Sequence, residues 1–108
     1  MKEGTEYAIL TDEITKAWAD KSIKQYKNFK GLKKQNLRDN MSNLELVLNM
    51  LAEASTTEIS KKKKPSGLSA HRKVAKQGGG VAKKARVEIE KQIGESVITS
   101  NAPRQIER

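Results

Sequence analysis

Ser42-Asn43-Leu44-Glu45 constrains the fold more than any other stretch, because it is a complete helix start followed at once by the densest apolar run in the chain. The Ser42 hydroxyl is placed to accept the amide of Glu45, and the Glu45 carboxylate to accept that of Ser42. Met41 and Leu46 are spaced as the hydrophobic staple that accompanies such a capping box. Behind it stand Leu44, Leu46, Val47, Leu48, Met50, Leu51, Ala52 and Ala54. Apolar residues on almost every side predict a helix over Asn43 to about Ala54 in the middle of the core. Replacing Leu48 or Leu51 by alanine is then expected to cost ~2–5 kcal/mol.

The rest of the chain reads as shorter helices around that one. Tyr7, Leu10, Ile14, Ala17 and Trp18 recur at helical spacing, with Asp12, Glu13, Lys16 and Asp20 opposite, and predict an amphipathic helix ending near Lys21. Trp18 on this face is expected to be a core anchor rather than a base-stacking platform. Ile23, Tyr26 and Phe29 repeat every third position among Lys24, Lys27 and Lys30, which predicts a short helix or turn with its rings tucked inward. Leu32 to Asn40 adds a helical turn or two. Ser55-Thr56-Thr57-Glu58 offers a second capping box where the central helix can restart. Pro65 must end it, since the ring disfavours helical geometry at Lys64. A following helix takes in Leu68, His71, Val74 and Ala75.

The triple glycine Gly78-Gly79-Gly80 has two readings. Each glycine in a helix interior costs about 1 kcal/mol relative to alanine, which favours a break with a new helix from about Val81. The alternative is one continuous helix whose glycine face admits a close neighbour. We expect the break. Ala82, Ala85, Ile89 and Ile93 then form a stripe, Lys84 with Glu88 and Arg86 with Glu90 form i, i+4 pairs, and Gly94 caps the end. The whole is a small all-α domain of four to six helices spanning residues 1–102, with 103–108 a flexible tail.

Charge is distributed unevenly along the chain. The net charge of +9 lies in Lys61 to Gly94, which holds eleven Lys or Arg against two acids, whereas Met1 to Ser60 balances nine against nine. One third of the chain thus reads as a polyanion-facing element on a neutral carrier. Its candidate binding residues are Lys61, Lys62, Lys63, Lys64, Arg72, Lys73, Lys76, Lys83, Lys84 and Arg86. The tetralysine also fits a helix C-terminus, where cations complement the macrodipole, or a solvated linker.

Other chemistry is poorly represented. There is no cysteine, His71 is the lone histidine, and no HExxH-type spacing occurs, so neither a metal nor a cofactor is expected. The glycines lack the GxxxxGK[ST] order of a nucleotide cradle, and no nucleophile–base constellation identifies an enzyme. No segment approaches the ~20 apolar residues of a membrane span. A non-enzymatic, soluble cytoplasmic protein is expected.

Several strings resemble the C-terminal region of the bacterial DNA-damage-inducible protein D (DinD) family. They are Tyr7-Ala8-Ile9-Leu10-Thr11-Asp12-Glu13-Ile14, the run from Phe29-Lys30-Gly31-Leu32 to Met41, the run from Asn49-Met50-Leu51 to Ile59, and Gly78-Gly79-Gly80-Val81-Ala82-Lys83-Lys84-Ala85-Arg86 with Gly94-Glu95-Ser96-Val97-Ile98. The resemblance covers about Glu6 to Ala102. It implies the separated C-terminal domain of a longer protein, preceded in the family by a phage-antirepressor-like domain. It further implies a role in the SOS response as a modulator of the RecA filament on single-stranded DNA. Two other expectations stand beside it: direct, sequence-nonspecific nucleic-acid binding by the basic third, and homodimerisation on behalf of a missing N-terminal domain.

Overall fold

A computed structural model describes residues 2–100. Four α-helices follow in order, α1 (Lys2–Ala19), α2 (Ile23–Phe29), α3 (Asn43–Lys63) and α4 (Gly67–Ile93), with a short 3-10 turn at Arg38–Asn40 between α2 and α3. The domain is all-α, with no strand among the described residues. α3 and α4 form a long hairpin, and α1 lies against it. The tail expected at 103–108 lies outside the described residues.

The helix starts are chemically explicit. Ser42 Oγ accepts the Glu45 amide at 3.2 Å and Glu45 Oε1 accepts the Ser42 amide at 2.8 Å, so the capping box forms as its sequence predicts. Ser22 makes a second box with Gln25 at the head of α2, a signal that the sequence reading passed over. Asp20, in the left-handed region at φ 62°, ends α1. Asp12 Oδ1 then accepts the Ile23 amide at 2.7 Å and ties α2 to α1.

α3 differs from expectation in two respects. It runs to Lys63 without a restart, because Thr56 and Thr57 turn their hydroxyls back to the carbonyls of Ala52 and Glu53, at 2.8 and 3.0 Å, instead of capping a new helix. Nor is it buried all round. Glu45, Leu48, Asn49 and Ala52 face inward, while Val47 and Met50 are more than half exposed and Leu51 is at 36%. α4 and α1 cover its inner side, and among the described residues Val47 and Met50 on the outer side stay open to water. The large cost stays expected for Leu48→Ala, at 2% exposure, and a smaller one for Leu51→Ala, which keeps about a third of its area in water. α3 ends as Lys64 adopts φ 49°, ψ 58° ahead of Pro65.

The expected break at the glycines is absent. α4 is one helix of 27 residues, with Gly78 and Gly79 buried inside it. A Cβ on Gly78 would stand 2.6 Å from the Thr56 backbone of α3, and one on Gly79 would stand 2.7 Å from the Ile14 carbonyl oxygen of α1. The close approach of two helices at adjacent positions outweighs the helix propensity that glycine lacks. Gly80 faces open space. Gly94, at φ 78°, caps the helix as expected.

Trp18, Tyr26, Met41, Leu48, Ala52 and Ala82 form the core. Trp18 is fully buried, donates Nε1–H to Asn49 Oδ1 at 3.2 Å and meets Tyr26 edge-on with centroids 6.1 Å apart. Tyr7 and Phe29, expected on apolar faces, are exposed instead, and Lys21 Nζ sits 4.6 Å from the Phe29 ring centroid. Val97 and Ile98 follow α4 as a buried strap.

The strap is held by a buried polar cluster. Glu45 Oε1 accepts from Lys30 Nζ at 3.1 Å, and both side chains are fully buried. Tyr26 Oη donates to Glu45 Oε2, and Lys30 Nζ donates also to the Thr99 carbonyl at 2.8 Å. Burial first, then the hydrogen bond and charge of Glu45, hold the Tyr26 hydroxyl far above its ordinary pKa.

Candidate polyanion-binding surface

The ten basic residues singled out from the sequence fall into two groups in space. Arg72, Lys83 and Arg86 turn toward carboxylates on α1 and at its end. Arg72 Nε donates to Glu13 Oε2 at 3.0 Å. Lys83 Nζ lies 2.8 Å from Asp20 Oδ1, and Arg86 Nη2 lies 2.7 Å from Asp20 Oδ2. Arg86 is also bonded to the Trp18 carbonyl at 2.8 Å and to Glu90, and it is only 8% exposed. Its charge serves the packing of α4 on α1, so the structure removes Arg86 from the candidate surface. The expected Arg86–Glu90 pair forms at 3.0 Å, whereas Glu88 engages Gln92 and stands 3.9 Å from Lys91 in place of Lys84.

Both carboxylates, Glu13 within α1 and Asp20 just past its end, respond to these cations. Burial would raise the Glu13 carboxyl, but the hydrogen bond and charge of Arg72, with Lys16 and Lys76 behind, bring it below its ordinary value. Burial likewise opposes ionisation of Asp20, and Lys83 and Arg86 outweigh it. These ion pairs join residues 59 to 66 positions apart, a separation that sequence spacing cannot resolve.

The remaining seven cations are exposed. Lys61, Lys62, Lys63 and Lys64 crowd the end of α3. Lys73 and Lys76 lie six and nine residues into α4, about 9 and 14 Å from its start at 1.5 Å per residue. Because only Lys64, Pro65 and Ser66 separate the helices, all six gather at one end of the hairpin. Lys61 makes a solvent-exposed pair with Glu58 at 3.4 Å, the kind worth little. Among the described residues, Lys62, Lys63, Lys64, Lys73, Lys76 and Lys84 have no carboxylate within 4.0 Å. Lys73, Lys84 and Lys91 recur at 11 and 7 residues, one face of a 3.6-residue helix, and extend the cationic row along α4.

Among the described residues, no cluster of three His, Asp or Glu side chains is arranged to hold a metal. No helix of the described residues is long and apolar enough to cross a membrane. No family model matches the chain, and neither a curated protein nor a solved structure matches it, so the function has to be read from these side chains themselves.

Proposed function

We propose that this domain is a non-enzymatic interaction module of the bacterial DNA-damage response that engages a RecA filament on single-stranded DNA, with the lysine-bearing end of the α3–α4 hairpin turned toward the phosphate backbone. The supporting observation is the gathering of Lys62, Lys63, Lys64, Lys73 and Lys76, exposed and without a carboxylate within 4.0 Å among the described residues, at one end of the α3–α4 hairpin. Uncompensated cations on a rigid support attract polyanions by releasing condensed counterions. The family resemblance of the sequence supplies the filament.

Fluorescence anisotropy with a single-stranded oligonucleotide tests the backbone contact. Binding should weaken steeply with salt, with log K against log salt changing by about 0.7 per phosphate neutralised. Replacing Lys62, Lys63, Lys73 and Lys76 together by alanine should lower affinity roughly tenfold or more at low salt and flatten that slope. Lys83→Ala, whose lysine pairs with Asp20, should have the smaller effect. RecA filaments with and without DNA complete the test in a pull-down. Retention by neither the oligonucleotide nor the filament at low salt would remove the reading.

A dimeric form is favoured by a different observation, the uncovered Val47, Met50 and Leu51 on the outside of α3. Sedimentation of the purified chain should then show concentration-dependent mass. A strict monomer at high concentration would leave that face without this role.

A further inference from the structure

We infer that the groove between α1 and α2 docks a short acidic peptide segment carrying a large apolar anchor. The groove measures about 670 Å³ and is open rather than enclosed. Ala8 and Ile9 of α1, Ile23 of α2 and Leu32 supply apolar side chains to its lining. Lys24, Lys27 and Lys33 also line it, and among the described residues none of the three pairs with a carboxylate. The single acid of the lining, Asp12, already accepts the Ile23 amide at 2.7 Å.

These features select the ligand by chemistry. Apolar area next to water gains free energy when an apolar side chain covers it, and three ammonium groups around that area favour carboxylates at the rim. A phosphate backbone would satisfy the lysines and leave the apolar lining wet. A neutral peptide would cover the apolar side chains without using the cations. An acidic segment with one or two large apolar residues does both. Its size is that of a ligand site, and Ile23 and Lys27 continue into a second depression of about 320 Å³ lined also by Leu37 and Met41. Two depressions that share Ile23 and Lys27 suit an extended chain better than a compact small molecule. The groove belongs to α1 and α2, whereas the lysine cluster belongs to the α3–α4 turn, so the two surfaces can be altered separately.

The test uses the whole chain and a fluorescein-labelled ten-residue peptide in which aspartates flank a central leucine–phenylalanine pair, read by anisotropy. One-to-one binding is expected. It should weaken at least tenfold when the apolar pair is replaced by alanines, and at least tenfold when the aspartates are replaced by serines. Ala8→Glu, at an exposed helix position, and Lys27→Glu should each weaken it tenfold or more while leaving the helical circular dichroism intact. The double replacement Lys73→Ala with Lys76→Ala should leave peptide binding unchanged, which separates this site from the DNA-facing one. Absence of binding, equal binding of the peptide without its apolar pair, displacement by a single-stranded oligonucleotide in one-to-one competition, or indifference to Ala8→Glu would each overturn the proposal.

Discussion

Glu45→Ala is expected to destabilise the domain by about 3–5 kcal/mol, the usual result of removing one partner of a buried ion pair. The Lys30 ammonium would be left fully buried with only the Thr99 carbonyl at 2.8 Å and the Thr99 hydroxyl at 3.2 Å to receive it. Tyr26 would lose the acceptor of its hydroxyl, and Ser42 the acceptor of its amide. Against a total stability of about 5–15 kcal/mol, this is a large fraction of what keeps the domain folded. The double replacement Glu45→Leu with Lys30→Met should recover most of the loss, because it removes both charges together. Urea denaturation of the three proteins checks this. A cost below about 1 kcal/mol for the single alanine would mean that water reaches the cluster and relieves it.

The glycine triplet should give the second large effect, with opposite signs at neighbouring positions. Gly78→Ala places a methyl group 2.6 Å from the Thr56 backbone, and no side-chain rotation can relieve a clash with main chain. Overpacking of this kind costs about 1–3 kcal/mol and more where backbone must move. Gly79→Ala meets the Ile14 carbonyl and should behave alike. Gly80→Ala meets nothing within 4 Å and should stabilise by up to about 1 kcal/mol through helix propensity alone. Thermal denaturation of the three single variants reads the pattern directly. Destabilisation at Gly80 equal to that at Gly78 would mean that the triplet is needed for a bend rather than for close packing.

The same glycines mark where reading the sequence stopped working. Local chemistry is legible one element at a time: Ser42 with Glu45 starts a helix, Pro65 ends one, Gly94 caps one, and Trp18 goes inside. Propensity at Gly78 and Gly79 pointed to a break, and tertiary approach overrode it, because the closeness of α3 and α1 is a property of the assembled bundle. Val47, Met50 and Leu51 read as core for a related reason, since periodicity reports how apolar a face is and not whether a neighbour exists to cover it. The basic third was visible as a run of charge. Its division into seven exposed cations and three that hold α1 was not, because Glu13 and Asp20 lie far away along the chain. The groove lysines, Lys24, Lys27 and Lys33, were hidden in a segment whose charges balance overall.

The clasp between Lys30 and Thr99 spans 69 residues. Joining positions so far apart before anything lies between them would sacrifice the disorder of most of the chain, whereas the α3–α4 turn joins near neighbours through three residues. The hairpin is therefore expected to form early in folding and the strap late, an order that pulsed hydrogen exchange would read. A nascent chain released before Val97 has emerged would keep its helices and lack the lock that seals Glu45 from water.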